Sequence, residues 1–397
     1  LEKDPSSLHP ETQLIHAHLE GTPAEQFHGL SAPVHRVSTV LFDDSAAFAK
    51  RHEGERAWVY GTVGTPTTVL LEQQITRVEG GVDTCLAPSG LAAVTLAYLA
   101  FLSAGDHVLV PDNVYDPSRN FARGFCKRMG IEATFYNPLD LAALPGLFKP
   151  NTRLIWVETP GSVTFEVSDL PAIAAAAHAR GAIVAVDNTY SGGVYFKALA
   201  LGTDVSVQAL TKYHGGHGDL VMGSVTSKTP ELAQQVRATR ESLGVSVAGD
   251  DCYLVLRGMQ TMLLRLEHLQ RATLTIAQWL KTRPEVARVL HPALPDCPGH
   301  DIWRRDFTGS SSVFSFVLAP GIDAQHADRF IDALQLFRIG ASWGGTASLA
   351  LHLHPAKTRT LPRWPAQQQL IRLNVGLEHV DDLISDLAQA LAASRRG

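Results

Sequence analysis

Short apolar runs alternate with longer stretches of helical periodicity through the middle of this chain. Runs near 84–88, 107–111, 154–158, 183–187, 205–210 and 221–226 have the length of buried strands. Between them, 67–79, 90–102, 117–129 and 170–180 carry apolar residues at helical spacing and are expected to be helices. Strand and helix in alternation imply an α/β fold with a large, mostly parallel sheet covered by helices on both faces. Ahead of it, residues 1–60 show little continuous periodicity and read as an N-terminal arm, which leaves 61–251 for the large domain. From 252 the stretch CYLVLRGMQTMLLRLEHLQRATLTIAQWL is helical in pattern. Strands near 287–291, 312–318, 336–340 and 370–375 then alternate with helices near 323–334 and 379–392. This C-terminal part, 252–397, is expected to be a smaller α+β domain. A division into two or three units suits 397 residues, more than one core usually serves.

Hydrophobic residues make up 45% of the chain and charged residues 18%, enough for a sizeable core and too little charge for a disordered protein. The net charge of −5 and the pI near 6.4 come with no basic stripe, which argues against nucleic acid or an anionic membrane as a partner. The longest apolar run, LAAVTLAYLAFL, falls short of the ~20 residues a membrane span needs. The opening segment, LEKDPSSLHPETQLIHAHLE, lacks a basic start and an apolar core, so no secretory signal is read there and a cytoplasmic location is expected. Cys85, Cys126, Cys252 and Cys297 are scattered and are expected as reduced thiols. His214 with His217, and His352 with His354, have metal-ligand spacing. Neither pair has a neighbouring Cys or carboxylate set to complete a site, and no metal is expected.

The chemistry concentrates in SVQALTKYHGGHGD, residues 206–219, where Thr211 and Lys212 follow an apolar strand. A lysine in a polar loop is ordinarily a solvated charge. Two further features change that reading. AIVAVDNTYSGG is another apolar strand ending in an acid, Asp187, and CLAPSGLAAVTLAYLAFL is a strand, a turn at Pro88-Ser89-Gly90 and a strong helix former. Ser89 would cap that helix, leaving the N–H groups of Gly90 and Leu91 free at its positive end, where phosphate binds without a special side chain. Open α/β sheets gather ligands at such strand ends. A carboxylate that can hold a pyridinium proton and a lysine that can form an imine are the pairing pyridoxal phosphate requires. In the apolar run LIRLNVGL an unpaired Arg372 would be costly, so it is expected to face an anion, with a structural ion pair as the alternative.

These segments resemble the Cys/Met-metabolism enzymes that use pyridoxal phosphate (PLP) on the aspartate-aminotransferase-like fold, fold type I, with the nearest likeness to bacterial cystathionine β-lyases. The resemblance covers nearly the whole chain through EGGVDTCLAPSGLAAV, DNVYDPSRNF, VETPGSVTFEV, VDNTYSGGVYFKAL, the Lys212 segment, HPALPDCPGH, RDFTGSSSVFSFVL, ASWGG and LIRLNVGLEHVDDLI. It implies that Lys212 carries the cofactor and that Asp187 pairs with the ring nitrogen. It also implies that Tyr115 stacks on the ring and that Ser89, Gly90, Leu91 and Thr211 hold the phosphate. Arg372 would bind the substrate α-carboxylate, with Ser342 and Trp343 beside it. Tyr60 and Thr62, in a segment that crosses to an adjacent subunit, would complete the neighbour's site, which implies dimers with shared sites and a homotetramer built from them.

Two positions depart from that resemblance. Relatives carry Tyr-x-Arg where VYGTVGTPTT has Tyr60 and Thr62, so the phosphate arginine is missing, and Arg56 is a candidate replacement. Ala209 stands where relatives have a phosphate-binding serine. A charge-assisted contact is worth about 1.5–3 kcal/mol, so these changes bear on cofactor affinity more than on the chemistry. Trp343 in ASWGG resembles the β-acting relatives. The resemblance thus implies β-elimination of L-cystathionine, or of related small cysteine thioethers, to homocysteine or another thiol, pyruvate and ammonia. Within the family the alternative is γ-elimination or γ-replacement on methionine, cystathionine or activated homoserine. Outside it, the alternative is a binding or regulatory module that reuses the fold without catalysis.

Overall fold

The computed structural model describes residues 29–53, 58–361 and 363–394, together with His9, Thr12 and Ile15. Arg56, the expected substitute for the phosphate arginine, lies outside the described residues.

Seven strands build the larger sheet: β1 (Asp83–Ala87), β2 (His107–Pro111), β3 (Glu132–Tyr136), β4 (Thr152–Glu158), β5 (Ile183–Asp187), β6 (Val205–Gln208) and β7 (Gly223–Ser227). They lie in the order β1-β7-β6-β5-β4-β2-β3, and only β7 runs antiparallel to its neighbours. Leu154 to Val157 and Val184 to Val186 are fully buried. Strands covered on both faces read as unbroken apolar runs, which is how they appear in the sequence. On one face, helix Gly90–Phe101 packs Ala93, Leu96, Ala97 and Tyr98 into a cluster with Trp156, Ala185 and Val207. On the other, Ile173, Ala174 and Ala177 of helix Leu170–His178 join Ile155, Val184 and Val186. The helix expected over 117–129 is α-helical only over Asp116–Asn120 and widens to a π-helix over Phe121–Cys126. There the rings of Phe121 and Phe125 stack 5.1 Å apart.

A second sheet follows: β8 (Val286–Leu290), β9 (Val313–Leu318), β10 (Arg338–Ile339), β11 (Leu349–Leu353) and β12 (Leu370–Asn374), in the order β10-β11-β12-β9-β8. It is antiparallel except between β10 and β11. Helices Ala324–Ala333 and Val380–Ser394 cover it through Phe330, Ile331, Leu387 and Leu391.

The long helical stretch from 252 is two helices, Gly249–Met259 and Met262–Lys281. The Arg265 guanidinium enters the break, donating from Nη2 to the carbonyls of Gly258 (2.6 Å) and Tyr213 (2.9 Å). It thereby satisfies a carbonyl at the first helix's end and ties the break to the turn that carries Lys212. The first helix buries Cys252, Val255 and Met259 with Leu71 and Ile75 of helix Pro66–Glu79. The second bridges both parts. Its Met262 and Leu266 pack with Tyr213, while Ile276 and Leu280 join the C-terminal core. Among the described residues no helix is long and apolar enough to cross a membrane.

Candidate active site

Because β4, β5 and β6 run parallel, their ends open on one edge of the sheet. Glu158 and Asp187, the last residues of β4 and β5, are register partners there, and the turn after β6 carries Ala209, Thr211 and Lys212. A cavity of about 390 Å³ covers these ends, the size of a small-molecule site. Asp187, Thr211, Lys212 and Tyr115 line it from the larger sheet's side, with Ser89, Gly90 and Leu91 at the start of their helix. Ser342, Trp343 and Arg372 close it from the C-terminal part.

Ser89 caps its helix as expected: its Oγ accepts the Ala92 N–H at 2.9 Å. The N–H groups of Gly90 and Leu91 therefore stand at the positive end of a capped helix, facing the cavity. Gly90 is held there by contact, since a Cβ would lie 2.6 Å from the Cβ of Ala209. Helix start and strand-end turn thus touch through the smallest side chains available. Thr211 lines the same cavity with its hydroxyl already engaged. Its hydroxyl donates to the Met222 carbonyl (3.1 Å) and accepts the Met222 N–H (3.0 Å), so binding a phosphate means giving up the first bond.

Lys212 Nζ donates to Ser342 Oγ at 2.7 Å and stands 5.2 Å from the centre of the Trp343 ring. Burial, with the Arg372 charge nearby, pushes this amine down from 10.5 to about 8, and Asp187 opposes the shift. Asp187 is itself pushed up by burial, opposed by the Thr189 hydrogen bonds and Lys212. Its Oδ1 accepts the Thr189 N–H at 3.0 Å. Arg372, on β12, is lowered to about 10 by burial and so stays a cation. Its Nη2 donates to the Ser342 carbonyl at 3.4 Å, and among the described residues no carboxylate forms an ion pair with it. The structural ion pair considered from the sequence has no partner there, and a partly buried cation of this kind suits a carboxylate ligand.

Tyr115 is the N-cap of helix Asp116–Asn120 without capping it through its side chain, and its ring reaches the cavity. Its N–H donates to Glu158 Oε2 at 2.7 Å. Backbone strain gathers at the same place. Val163, Phe165 and Ser342 have φ of 71°, 56° and 107°, the positive-φ residues other than glycine among those described, and all three line the cavity. Such conformations cost of order 1–3 kcal/mol each and cluster at functional sites.

Tyr60 and Thr62 are not at this cavity. Tyr60 is half exposed and pairs with Thr39, while the Thr62 carbonyl accepts from the buried Arg240 at 3.1 Å. Sequence reading passed over Glu158 and Thr189. The signal for Glu158 is in VETPGS, an apolar strand ending in an acid, the same pattern that points to Asp187. Of the histidine pairs, His214 is buried and lowered to about 3, and His352 is bonded to Asp328 and Gln369. Among the described residues no group of three or more His, Cys, Asp or Glu comes together as a metal site.

The residues present fit PLP: a capped helix end for phosphate, a partly buried strand-end carboxyl for a ring nitrogen and a partly neutral amine for an aldehyde. Residues 11–392 match the family described as Cys/Met metabolism PLP-dependent enzyme. A putative cystathionine beta-lyase from Rhizobium johnstonii is 46% identical over 387 residues, 96% of each chain. A cystathionine beta-lyase from Bordetella avium is 42% identical over 397 residues, 98% of each. The crystal structure of cystathionine gamma-lyase from Lactobacillus plantarum, complexed with L-serine, matches with a TM-score of 0.87 at 30% identity, covering 98% of this chain and 100% of that one. The fold is that of the type I PLP enzymes, a large sheet domain with a smaller C-terminal one. On this match over almost its whole length, the chain belongs to the Cys/Met metabolism family of PLP-dependent enzymes.

Proposed function

We propose that this protein is a carbon–sulfur lyase that cleaves L-cystathionine or a related cysteine thioether by β-elimination, releasing a thiol, pyruvate and ammonia. The observation that carries the reading is the Lys212 amine in one cavity with Asp187 and with Arg372, a partly buried cation lacking a carboxylate partner among the described residues. When bound, PLP supplies an electron sink for the pair left at Cα as its proton departs. Asp187 would keep the ring nitrogen protonated, and the amides of Gly90 and Leu91 would hold the phosphate. Arg372 would fix the substrate α-carboxylate, which orients Cα toward Lys212. The Lys212 amine, held partly neutral by its surroundings, takes the Cα proton as general base, and the thiolate leaves from Cβ. Trp343, whose ring centre lies 5.2 Å from that amine, would narrow the space at Cβ and so favour β over γ chemistry. The fold shared with the L. plantarum γ-lyase supports γ-elimination as the second reading.

The keto acid formed from L-cystathionine separates the two: pyruvate is expected, and 2-oxobutyrate would move the assignment to γ. Lys212→Ala should remove turnover while keeping the fold, because the side chain contributes a base rather than core packing. Steady-state keto-acid formation by that variant near the wild-type rate would show that another group is the base.

We infer further that Tyr60 and Thr62 serve a neighbouring subunit, in dimers that pair into a tetramer. The arm supports this: Leu30 is 81% and Leu41 88% exposed, apolar surface that a second copy of the chain would cover.

A further inference from the structure

Asp112, Glu158 and Asp187 stand at the ends of three neighbouring parallel strands, and their surroundings differ. Asp112, just past β2, accepts from Arg119 and Arg359 and from the N–H groups of Thr360 and Leu361. Asp187 faces Lys212 and accepts from Thr189. Glu158 lies on the strand between, buried, lining the cavity. Its Oε2 accepts the Tyr115 N–H, and among the described residues no cation is within ion-pair distance of it. We propose that Glu158 is a positioning residue: its carboxyl fixes the main chain of Tyr115, and with it the ring over the cavity, while Asp187 on the next strand is left to face Lys212.

The register supports this division. Partners on adjacent parallel strands put their side chains on the same face about 4.8 Å apart, and two carboxylates so close, one buried and one partly buried, do not both ionise readily. Burial holds the Glu158 carboxyl well above the ordinary range; Asp187 and Asp116 push it the same way, while the Tyr115 N–H and Arg119 oppose. From helix Gly90–Phe101 the group facing it is the buried, neutral phenol of Tyr98. Asp187 has Lys212 and two bonds from Thr189 on its side, which favour its charged form, while Glu158 has the Tyr115 N–H alone as a hydrogen-bond donor. Tyr115 depends on that carboxyl because nothing in its own side chain caps the helix it opens. Its carbonyl accepts the Arg119 N–H at 3.0 Å, so the Tyr115 peptide groups are fixed on both sides.

The proposal rests on the cavity being the PLP site, and not on which thioether is cleaved. The test compares full-length Glu158→Gln and Glu158→Asp for melting without cofactor, affinity for PLP and the visible circular dichroism of bound PLP, which reports the groups around its ring. Gln is a neutral isostere that still offers a carbonyl to the Tyr115 N–H. It should keep the wild-type dichroism, with affinity within about twofold. Asp stays acidic but withdraws the carboxyl by one methylene; it should alter the dichroism and weaken PLP binding roughly tenfold. In a Tyr115→Ala background the same change should add little, since the effect runs through Tyr115. A Gln variant impaired as much as the Asp variant would show that the charge is needed. An Asp variant like wild type, or one whose defect persists without Tyr115, would show that Glu158 does not position that residue. Wild-type protein that takes up no PLP would overturn both this role and the reading of the cavity; the other outcomes overturn the role alone.

Discussion

Burial and the charge of Arg372 set the Lys212 amine at about 8 instead of 10.5, and this fixes how the side chain responds to pH. Below about 8 it is charged in folded and unfolded chain alike, and its burial is a cost to the cofactor-free protein. Between about 8 and 10.5 the unfolded chain binds more protons, so stability from this group rises with pH across that window. Only the neutral amine attacks an aldehyde, so cofactor-free protein should take up PLP faster as pH rises, with a midpoint near the same value. Growth of visible absorbance measured against pH checks it, and a profile flat through that region would mean that Lys212 is not the attacking amine. Ser342 makes a second residue-scale case. Its φ of 107° is strained for serine, yet its hydroxyl takes the Lys212 bond and its carbonyl the Arg372 bond. Ser342→Gly should relieve about 1 kcal/mol of strain in the cofactor-free protein while slowing turnover. A lower melting temperature would show that the hydroxyl bond outweighs the strain. Asp187 and Lys212 were legible because strand-ending polar residues stand out against apolar runs; the hydroxyl of Thr211 was not, because its partner Met222 lies eleven residues away across a turn.

Elements with long apolar runs were the easiest to read. Helix Gly90–Phe101 is almost wholly apolar, and strands β4 and β5 carry the runs Leu154–Val157 and Ile183–Val186. Strand β3 was not expected, because EATFY is an edge strand with mostly partial burial and little apolar signal. Helix Pro230–Ser242 was passed over because it buries only Ala233, Val236 and Arg240. At this scale the contact between Gly90 and Ala209 matters most, since it sets the helix end against the Lys212 turn. Gly90→Ala should force that end away, costing about 1–3 kcal/mol of stability and weakening PLP binding. Gly124→Ala, where a Cβ meets nothing within 4 Å, is the matched control. Equal melting and equal PLP affinity for the two variants would show that the close approach has no consequence.

At the scale of the whole molecule, the cavity needs both sheets: Lys212 and Asp187 come from the first, Ser342, Trp343 and Arg372 from the second. The bridging helix Met262–Lys281 keeps the two in register, because one end packs with Tyr213 beside Lys212 and the other lies in the second core. Tyr60, away from its own chain's cavity, makes the subunit arrangement testable. If each site borrows Tyr60 from a neighbour, mixing inactive Tyr60→Phe and Lys212→Ala chains should restore part of the activity, up to roughly a quarter of wild type for random pairing into dimers. Chains that exchange subunits and gain nothing would rule out the shared site.

The strand–helix alternation, the places of Asp187 and Lys212 after apolar strands and the capped helix after β1 can all be read along the chain, because each is a local pattern of burial and chain chemistry. Only the tertiary structure decided that Arg372 has no acidic partner among the described residues, that Thr211 is already bonded to Met222, and that Glu158 holds Tyr115 beside Asp187. Those facts depend on which residues meet across 43 positions from Tyr115 to Glu158, or across 130 from Lys212 to Ser342. Such separations leave no periodic trace along the chain. Desolvation, the largest influence on every ionisable group at this site, likewise exists only once both sheets close over it.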